Sequence, residues 1–427
     1  MEPETLDLAR LQFALTAGGH FLFVALTLGL AVVVAVIQTR AVFSGDPVHA
    51  RMVRFWGQLY VINYAVGIVT GIVMEFQFGM AWSGLGHYAG NVFGASLAIE
   101  TIVAFFVEST FLGLWIFGWN RFGKRVHLAL LWVVTLTAYF SAYWILVTNG
   151  FLNHPVGYRE TPEGLVIGDV WALLTNPSTL FAFFHIAGGA LVTAAFFMAG
   201  VSAYHLFRRT SEYELFRRSL RIGVFVALPA VFFTAAVGGA QFPVLREYQP
   251  AKMAVFQSDP AEMARLQADM AAQFGPGGYL PSEAWTRTGA IVMLSVFGLM
   301  FFIAVLGVVL GSIKWAVYHL RPWHGLLMAV VPLPFVAMTA GWVFREAGRQ
   351  PWVIYGLLRT RDAGSALSTG QLRLSLTVFG ALFVLLIAVN WWLLLRAAGR
   401  GPSGVALGTD DRSEDGSYDP PLPVHSY

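Results

Sequence analysis

Two carboxylic acids lie in a stretch of sequence that is apolar enough to cross a membrane. Glu100 and Glu108 both fall within residues Phe93–Phe117, which are otherwise mainly hydrophobic or small. An ionisable group in hydrocarbon costs at least a few kcal/mol, so each acid needs a partner or a function. At about 100° per residue, the spacing returns Glu108 to within roughly 80° of Glu100 on a helix, ~12 Å further along. Both acids can therefore line one internal path.

Two interpretations of these acids are open at this point. A structural one pairs each carboxylate with an arginine or a backbone group. A functional one makes the acids a ligand to a bound cofactor and a relay for protons. The two interpretations are distinguished by the other residues predicted at the same depth in the membrane as these acids.

The composition is that of an integral membrane protein. Of the 427 residues 57% are hydrophobic and 12% charged, and the apolar residues form long runs. The absence of cysteine excludes disulfides, iron–sulfur clusters and thiolate ligation. The net charge of +3 gives no argument for nucleic acid. Residues Met1–Arg10 are acidic and lack the basic region of a signal peptide, so the first apolar run should be retained.

The apolar runs predict an all-α protein with about nine transmembrane helices in a bundle. Each run is near the ~20 residues needed to cross the hydrocarbon core. The predicted spans are Leu11–Ile37, Trp56–Phe78, Phe93–Phe117, Val126–Val147, Leu180–Leu206, Ile222–Ala240, Gly289–Ile313, Leu326–Arg345 and Leu374–Leu395.

Lysine and arginine set the predicted orientation. They cluster in the odd-numbered loops, whereas the second loop, predicted over Ala81–Asn91, has no charge. The odd loops should therefore be cytoplasmic, with the N-terminus outside and the C-terminus inside. Five arginines in the eighth loop are an exception, because they lie on the predicted outer side of the membrane. They suggest anionic partners there. They are Arg345, Arg349, Arg359, Arg361 and Arg373.

Two segments are not predicted to span the membrane. Residues 241–287 form a long outer loop of mixed charge between six helices in 1–240 and three in 288–398. Residues 399–427 are rich in Gly, Pro, Ser and Asp and predict a disordered cytoplasmic tail.

Seven side chains with ligand or proton chemistry fall in the outer half of the predicted bundle. Alone, a buried histidine is a core residue about as often as a ligand, and a methionine is more often packing. Their shared depth favours haem, because His and Met are usual ligands of haem iron in helical proteins. The seven are His20, Glu75, Glu100, Glu108, His185, Met293 and Glu346.

Six motifs resemble those of subunit I of the cytochrome bd quinol oxidases. The resemblance extends from Leu11 through the ninth span, and chance agreement across all six motifs is not credible. The motifs are Gly18-Gly-His-Phe-Leu-Phe23, Met74-Glu-Phe-Gln-Phe-Gly79, Ala98-Ile-Glu100 with Phe106-Val-Glu-Ser-Thr110, Trp144-Ile-Leu-Val-Thr-Asn-Gly150, Gln249-Pro-Ala-Lys252 and Glu346-Ala-Gly-Arg-Gln-Pro-Trp352.

The resemblance implies three haems. His185 and Met293 would be the axial ligands of a low-spin haem b. His20 and Glu346 would each serve one of two high-spin haems, a haem b and a haem d, with Glu100 as a further ligand or close neighbour. Other residues implied to lie near the haems are Arg10, Trp342 and Arg349.

The resemblance also implies the reaction and the partners. Quinol would be oxidised at residues 241–287, with Gln249 and Lys252, and its protons would leave outside. Dioxygen would become water with cytoplasmic protons that pass Ser141, Glu108 and Glu100 or a partner subunit, so a membrane potential arises without a pump. The expected setting is a bacterial plasma membrane, with lipid, a subunit II and a small single-helix subunit as partners.

Three departures from the family pattern bear on the electron donor. Gln257 stands where the family usually has Glu, Ile291 replaces a basic residue, and His154 lies in an altered segment after Gly150. Gln257 cannot accept a proton, so Glu247 is the candidate replacement base, against the alternative of a solvated loop acid. Two other functions remain open: a haem oxidoreductase with a non-quinol donor, and a transporter or channel with Glu75, Glu100 and Glu108 as its ion path.

Overall fold

The computed structural model describes residues 3–408, apart from the side chains of Phe78, Val103 and Ala104. In this part of the chain, nine helical segments are long and apolar enough to cross a membrane, which confirms the predicted number. They are Pro3–Ser44, Pro47–Ala81, Ser83–Phe117, Lys124–Asn153, Val170–Arg208, Tyr213–Tyr248, Glu283–Ser312, Arg321–Ala347 and Thr369–Arg400.

Fifteen α-helices and two short β-hairpins make up these spans and their connections. In chain order the helices are α1 (Pro3–Ser44), α2 (Pro47–Ala81), α3 (Ser83–Ile99), α4 (Phe106–Phe117), α5 (Lys124–Asn153), α6 (Val170–Leu174), α7 (Pro177–Arg208), α8 (Tyr213–Tyr248), α9 (Pro250–Gln257), α10 (Pro260–Phe274), α11 (Glu283–Ser312), α12 (Lys314–His319), α13 (Arg321–Ala329), α14 (Leu333–Ala347) and α15 (Thr369–Arg400). The antiparallel strand pairs are β1 (Tyr158–Thr161) with β2 (Gly164–Ile167), and β3 (Trp352–Ile354) with β4 (Leu358–Arg359).

Local sequence signals determine where several helices begin. Asp46 before α2 and Asn176 before α7 each accept a hydrogen bond from a first-turn N–H, and a proline follows each of them. Such caps satisfy amide donors that have no partner within the helix. Ser368 and Gln371 form a reciprocal capping box at the start of α15.

The third span is one continuous helix with a π-helical segment, Glu100–Phe105, between α3 and α4. The prediction of a loop over Ala81–Asn91 is wrong, because α2 ends at Ala81 and α3 already begins at Ser83. A π turn holds one residue more than the α-helical register, so the eight steps from Glu100 to Glu108 rotate like about seven. The two acids are then within roughly 20° of one face, closer than the ~80° predicted.

Prolines act differently in the sixth and eighth spans. Pro229 and Pro243 lie inside α8, which runs through both. Pro332 lies in the turn that separates α13 from α14, so the eighth span is two helices. A proline in a membrane helix is tolerated where neighbouring groups satisfy the freed backbone.

The segment 241–287 is mostly helical. It comprises the end of α8, all of α9 and α10, and the start of α11. The predicted tail begins in an ordered part, since α15 extends to Arg400 and Leu407 is buried. The rest of the predicted tail, residues 409–427, lies outside the described residues.

Small residues let several helices approach at backbone distance. A Cβ atom on Gly29 of α1 would lie 2.0 Å from the carbonyl oxygen of Ala190 in α7. A Cβ on Gly223 of α8 would lie 2.8 Å from the carbonyl oxygen of Ala195, also in α7. Such contacts are typical of membrane helices, whose association relies on close packing. They fix α1, α7 and α8 relative to one another.

Candidate functional site

His20 of α1 is oriented by a hydrogen bond from α2. Its Nδ1 lies 2.9 Å from the Thr70 hydroxyl oxygen, and that hydroxyl donates its own proton to the Gly67 carbonyl at 2.7 Å. Thr70 can therefore only accept from His20, so Nδ1 carries the hydrogen and Nε2 carries the lone pair. In the described residues Nε2 has no hydrogen-bond partner. It is available to coordinate a metal.

His185 of α7 has the same arrangement with a different partner. Its Nδ1 lies 2.9 Å from the Thr234 carbonyl oxygen of α8, which can only accept, so Nε2 again carries the lone pair. The ring lies against Gly238, where a Cβ would be 2.8 Å from its Cε1. A metal-bound histidine usually donates its other N–H in this manner.

These single ligands fit haem better than a bare ion. In the described residues no group of three or more His, Cys, Asp or Glu could hold a metal ion. Haem needs one or two protein ligands, since its ring supplies the other four. Met293 of α11 could supply a sulfur ligand; its Sδ lies 2.8 Å from the Cβ position of Gly341 on α14. The residues present therefore fit haem.

Glu346 lies in a polar network at the end of α14. Its Oε1 accepts from the Asn149 side chain at 2.9 Å, and its Oε2 accepts from Arg349. Arg345 donates to Asn149 Oδ1 at 2.8 Å and to the Ser178 hydroxyl at 3.2 Å. The network joins the ends of α5 and α14 to the start of α7.

This network carries more positive than negative charge. Lys252 is fully buried, and its Nζ donates to the Arg345 carbonyl at 2.9 Å and lies 5.7 Å from the Phe344 ring. Burial holds the pKa of Lys252 well below its usual range, and neighbouring Arg345 adds to the effect. Three basic groups (with Arg349) thus face one carboxylate, Glu346. Such a cluster suits an anion with several oxygens, as the outer arginines predict.

The acids of the third span form a second cluster. The Ser141 hydroxyl of α5 donates to Glu100 Oε1 at 2.7 Å, and Glu75 of α2 is a near neighbour of Glu100. Glu108 is only 7% exposed and faces the Tyr64 hydroxyl. In the described structure these acids contact hydroxyl groups and one another rather than an arginine or lysine. A proton-carrying role would use such an arrangement, and that role stays a prediction.

The comparison with known families decides the identity. The family model described as Cytochrome bd terminal oxidase subunit I matches residues 8–276 and 276–402, nearly the whole chain. The chain belongs to this family. It is therefore one subunit of a bacterial terminal oxidase, embedded in a membrane by several helices.

The similar proteins align with this chain over nearly their full lengths. The chain is 35% identical to the cytochrome bd ubiquinol oxidase subunit 1 of Bacillus subtilis, covering 96% of this chain and 98% of that protein. It is 31% identical to the cytochrome bd-II ubiquinol oxidase subunit 1 of Escherichia coli, covering 94% and 98%. The bd oxidase structure from Geobacillus thermodenitrificans superimposes with a TM-score of 0.82 at 26% identity, over 93% of this chain and 99% of that one.

Within this bd-type subunit, the predicted donor residues contact the polar network around Glu346. The Gln249 amide donates to the Asn153 carbonyl at 2.6 Å and to its side-chain oxygen at 3.1 Å. Lys252 reaches α14 as described above. Glu247 is exposed and lies close enough to His154 to influence its charge. Residues of α8 and α9 therefore pack on the same end of α5 and α14.

Two residues predicted to lie near the haems form no hydrogen bond with these polar networks in the described structure. Arg10 is 43% exposed and lies 3.7 Å from Asp7. Trp342 is half-buried on α14, with no hydrogen bond described. The residues that orient the candidate ligands and the donor-side side chains were not found from the sequence, since a partner group at a distant position leaves no periodic signal. These residues are Thr70, Asn149, Asn153, Asn176 and Thr234.

Proposed function

We propose that this subunit oxidises quinol at its outer end and holds the haems at which dioxygen is reduced to water. The observation that carries the proposal is the pair of histidines, His20 and His185, each held with Nε2 free to bind iron. Two such histidines at separate sites match an enzyme that separates electron entry from oxygen reduction.

We assign the haem ligands as follows. His185 and Met293 hold a low-spin haem b, while His20 and Glu346 each serve one of two high-spin haems, a haem b and a haem d. Glu100 is a further ligand or close neighbour at that pair. Bound haem supplies the electron transfer and the reduction of dioxygen. Thr70 and Thr234 orient the histidines, and Arg345 and Arg349 supply charge for haem carboxylates.

On the donor side, Gln249, Lys252 and Glu247 form the proposed quinol site. Gln249 is held by Asn153, and Lys252 is held beside Arg345, so both side chains are fixed before a quinol arrives. Lys252 orients a quinone oxygen by donating to it. Released protons leave to the outer water past Glu247, which is exposed.

On the oxygen side, protons come from the cytoplasm. Glu108, in α4, lies closer to the cytoplasmic end of the third span than Glu100, which is in the π-helical segment. The Ser141 hydroxyl donates a hydrogen bond to Glu100 at 2.7 Å. A proton passing Glu108 can reach Glu100, since both acids lie near one helix face. With the N-terminus outside and the C-terminus inside, opposite proton sources generate a membrane potential without a pump.

A second membrane subunit covers the third span in this proposal. The relatives are named subunit 1 of their oxidases, which places them in multi-subunit enzymes. Ile102 and Phe106 are 64% and 61% exposed on the same span as the half-buried Glu100. Lipid can cover the apolar side chains, but the exposed part of the Glu100 side chain is costly to place against hydrocarbon. Subunit II covers this part of the side chain, and a small single-helix subunit completes the complex.

The test uses the complex purified with its partner subunits in mild detergent. We expect a reduced-minus-oxidised spectrum with low-spin and high-spin haem bands, and dioxygen consumption driven by quinol. A protein without haem bands would refute the proposal and support a transporter instead.

A related oxidase with a non-quinol donor is the second candidate. Exposed Gln257 and Ile291 favour it, because both depart from the family pattern on the donor side. Haem bands and dioxygen reduction with an artificial reductant, but none with ubiquinol or menaquinol, would identify this second function.

A further inference from the structure

A histidine outside the residues assigned so far lies at the donor end of the molecule. His154 follows the last residue of α5, and its ring stacks on Tyr248 at the end of α8 with centroids 3.5 Å apart and planes 17° apart. Tyr248 is the neighbour of both Glu247 and Gln249. The ring is half-buried, so a bound molecule can reach it.

Asn176 determines which nitrogen of His154 is free. The Asn176 amide donates to the His154 carbonyl at 2.9 Å, and its Oδ1 accepts from the Ser178 N–H at 2.9 Å. Its Oδ1 also lies 3.2 Å from His154 Nδ1, so that nitrogen is the donor. His154 Nε2 therefore carries the lone pair. In the described residues it has no hydrogen-bond partner.

A second free acceptor belongs to Gln249, whose amide bonds Asn153, the residue before His154. Gln249 is 1% exposed, its amide nitrogen donates to the carbonyl of Asn153, and its Oε1 is buried with no partner in the described structure. A buried acceptor without a donor is costly, which points to a missing group that donates. A hydroxyl on a flat ring provides such a donor, and His154 Nε2 provides a second acceptor.

We propose that His154 is the base that takes the proton from the quinol hydroxyl. The inference rests on the proposed quinol oxidation and replaces Glu247 as first proton acceptor. Gln249 Oε1 accepts a hydrogen bond from the substrate, and Glu247 passes the proton on to outer water. A histidine thus supplies the base that Gln257 cannot supply.

The step balances. Oxidising one quinol to a quinone breaks two O–H bonds and releases two protons and two electrons. The proposed low-spin haem would accept these electrons one at a time, and dioxygen would be the final oxidant. The proton of the hydroxyl beside His154 forms an N–H bond at Nε2 and is then lost to outer water, which leaves the imidazole neutral again. The proton of the opposite hydroxyl leaves to water.

The charge on His154 follows from its surroundings. Burial lowers its pKa, while the hydrogen bond to Asn176 and the charge of Glu247 partly oppose that shift. The neutral base therefore predominates at neutral pH. Because the base form is active, quinol oxidation should fall as pH drops through the histidine pKa, below about 6.5.

The experiment compares His154→Gln with His87→Gln in the full complex. Gln fills similar space but cannot take a proton, and His87 is an exposed histidine on α3. For His154→Gln we expect kcat with quinol to fall by ~10²–10⁴-fold with little change in KM, and the acidic limb of the pH profile to disappear. His87→Gln should match the wild type. Dioxygen reduction driven by an artificial one-electron reductant should be unchanged in both.

A second variant guards against a folding defect. His154→Ala should regain quinol oxidation when free imidazole is added, while its haem spectrum stays that of the wild type. Wild-type kcat and pH profile in His154→Gln, or no rescue of His154→Ala, would overturn the role of His154. If the wild-type complex itself does not oxidise quinol but reduces dioxygen with the artificial reductant, the proposed electron donor would be wrong instead.

Discussion

The hydroxyl of Thr70 gives the sharpest test of how α2 prepares a metal ligand on α1. Thr70→Val keeps the shape of a fully buried side chain but removes the acceptor for His20 Nδ1. The imidazole is then free to move its hydrogen to Nε2, which abolishes the lone pair that would bind iron.

The expected effect follows from the lost hydrogen bond. A buried N–H left without its acceptor costs about 1–3 kcal/mol, which corresponds to roughly 5–150-fold in an equilibrium constant. Partners of metal-bound histidines typically change metal affinity by about 10–100-fold, so the two ranges agree. We expect haem to leave the His20 site ~10–100-fold more readily in Thr70→Val.

The assay measures haem per protein and the rate of haem transfer to a haem-scavenging protein. Thr135→Val is the matched control, because Thr135 is also buried and bonds its own helix at Leu131, with no histidine attached. Thr70→Ser should behave as wild type, since it keeps the hydroxyl. Full haem content and wild-type transfer rate in Thr70→Val would refute the reasoning.

Three further predictions follow from the same geometry. Met293→Leu should convert the low-spin haem signal to high-spin or remove it, as read from the optical spectrum; an unchanged low-spin band would exclude Met293 as a ligand. Ser141→Ala removes the 2.7 Å hydrogen bond that the Ser141 hydroxyl donates to Glu100, and it should slow dioxygen reduction while the haem bands persist. Lys252→Ala should depress quinol oxidation but leave reductant-driven dioxygen reduction mostly intact, and equal loss of both would argue against a donor-side role.

The spans were predictable because they depend on long apolar runs in the sequence. Within the spans, local backbone geometry was not. Nothing in Glu100–Phe105 signals a π turn, and the uncharged segment after Ala81 has the composition of a loop although α3 begins at Ser83. The break before α14 was only indicated by its prolines. The positions of helix breaks and π turns depend on the neighbouring helices rather than on the local sequence.

The family and the oxidase activity were also predictable, and the comparisons confirm them. His20, His185 and Glu346 could be proposed as ligands because they are rare residue types in apolar surroundings. Thr70 and Thr234 could not, since hydroxyl groups and backbone carbonyls occur throughout the helices. The role of Asn176 depends on a turn that brings it back to His154, 22 residues away.

The contact between Gly29 and Ala190 bears on the speed of the enzyme. It holds α1 against α7 through backbone atoms, which cannot repack as side chains do. His20 and His185 lie on these same two helices, so in the proposed assignment the close helix contact would fix the distance between their haem sites. Electron tunnelling falls off exponentially with distance, so a protein that must pass electrons one after another gains from a rigid gap. In the proposed assignment, Gly29 and Ala190 thereby help to set the rate of electron transfer between the two haem sites.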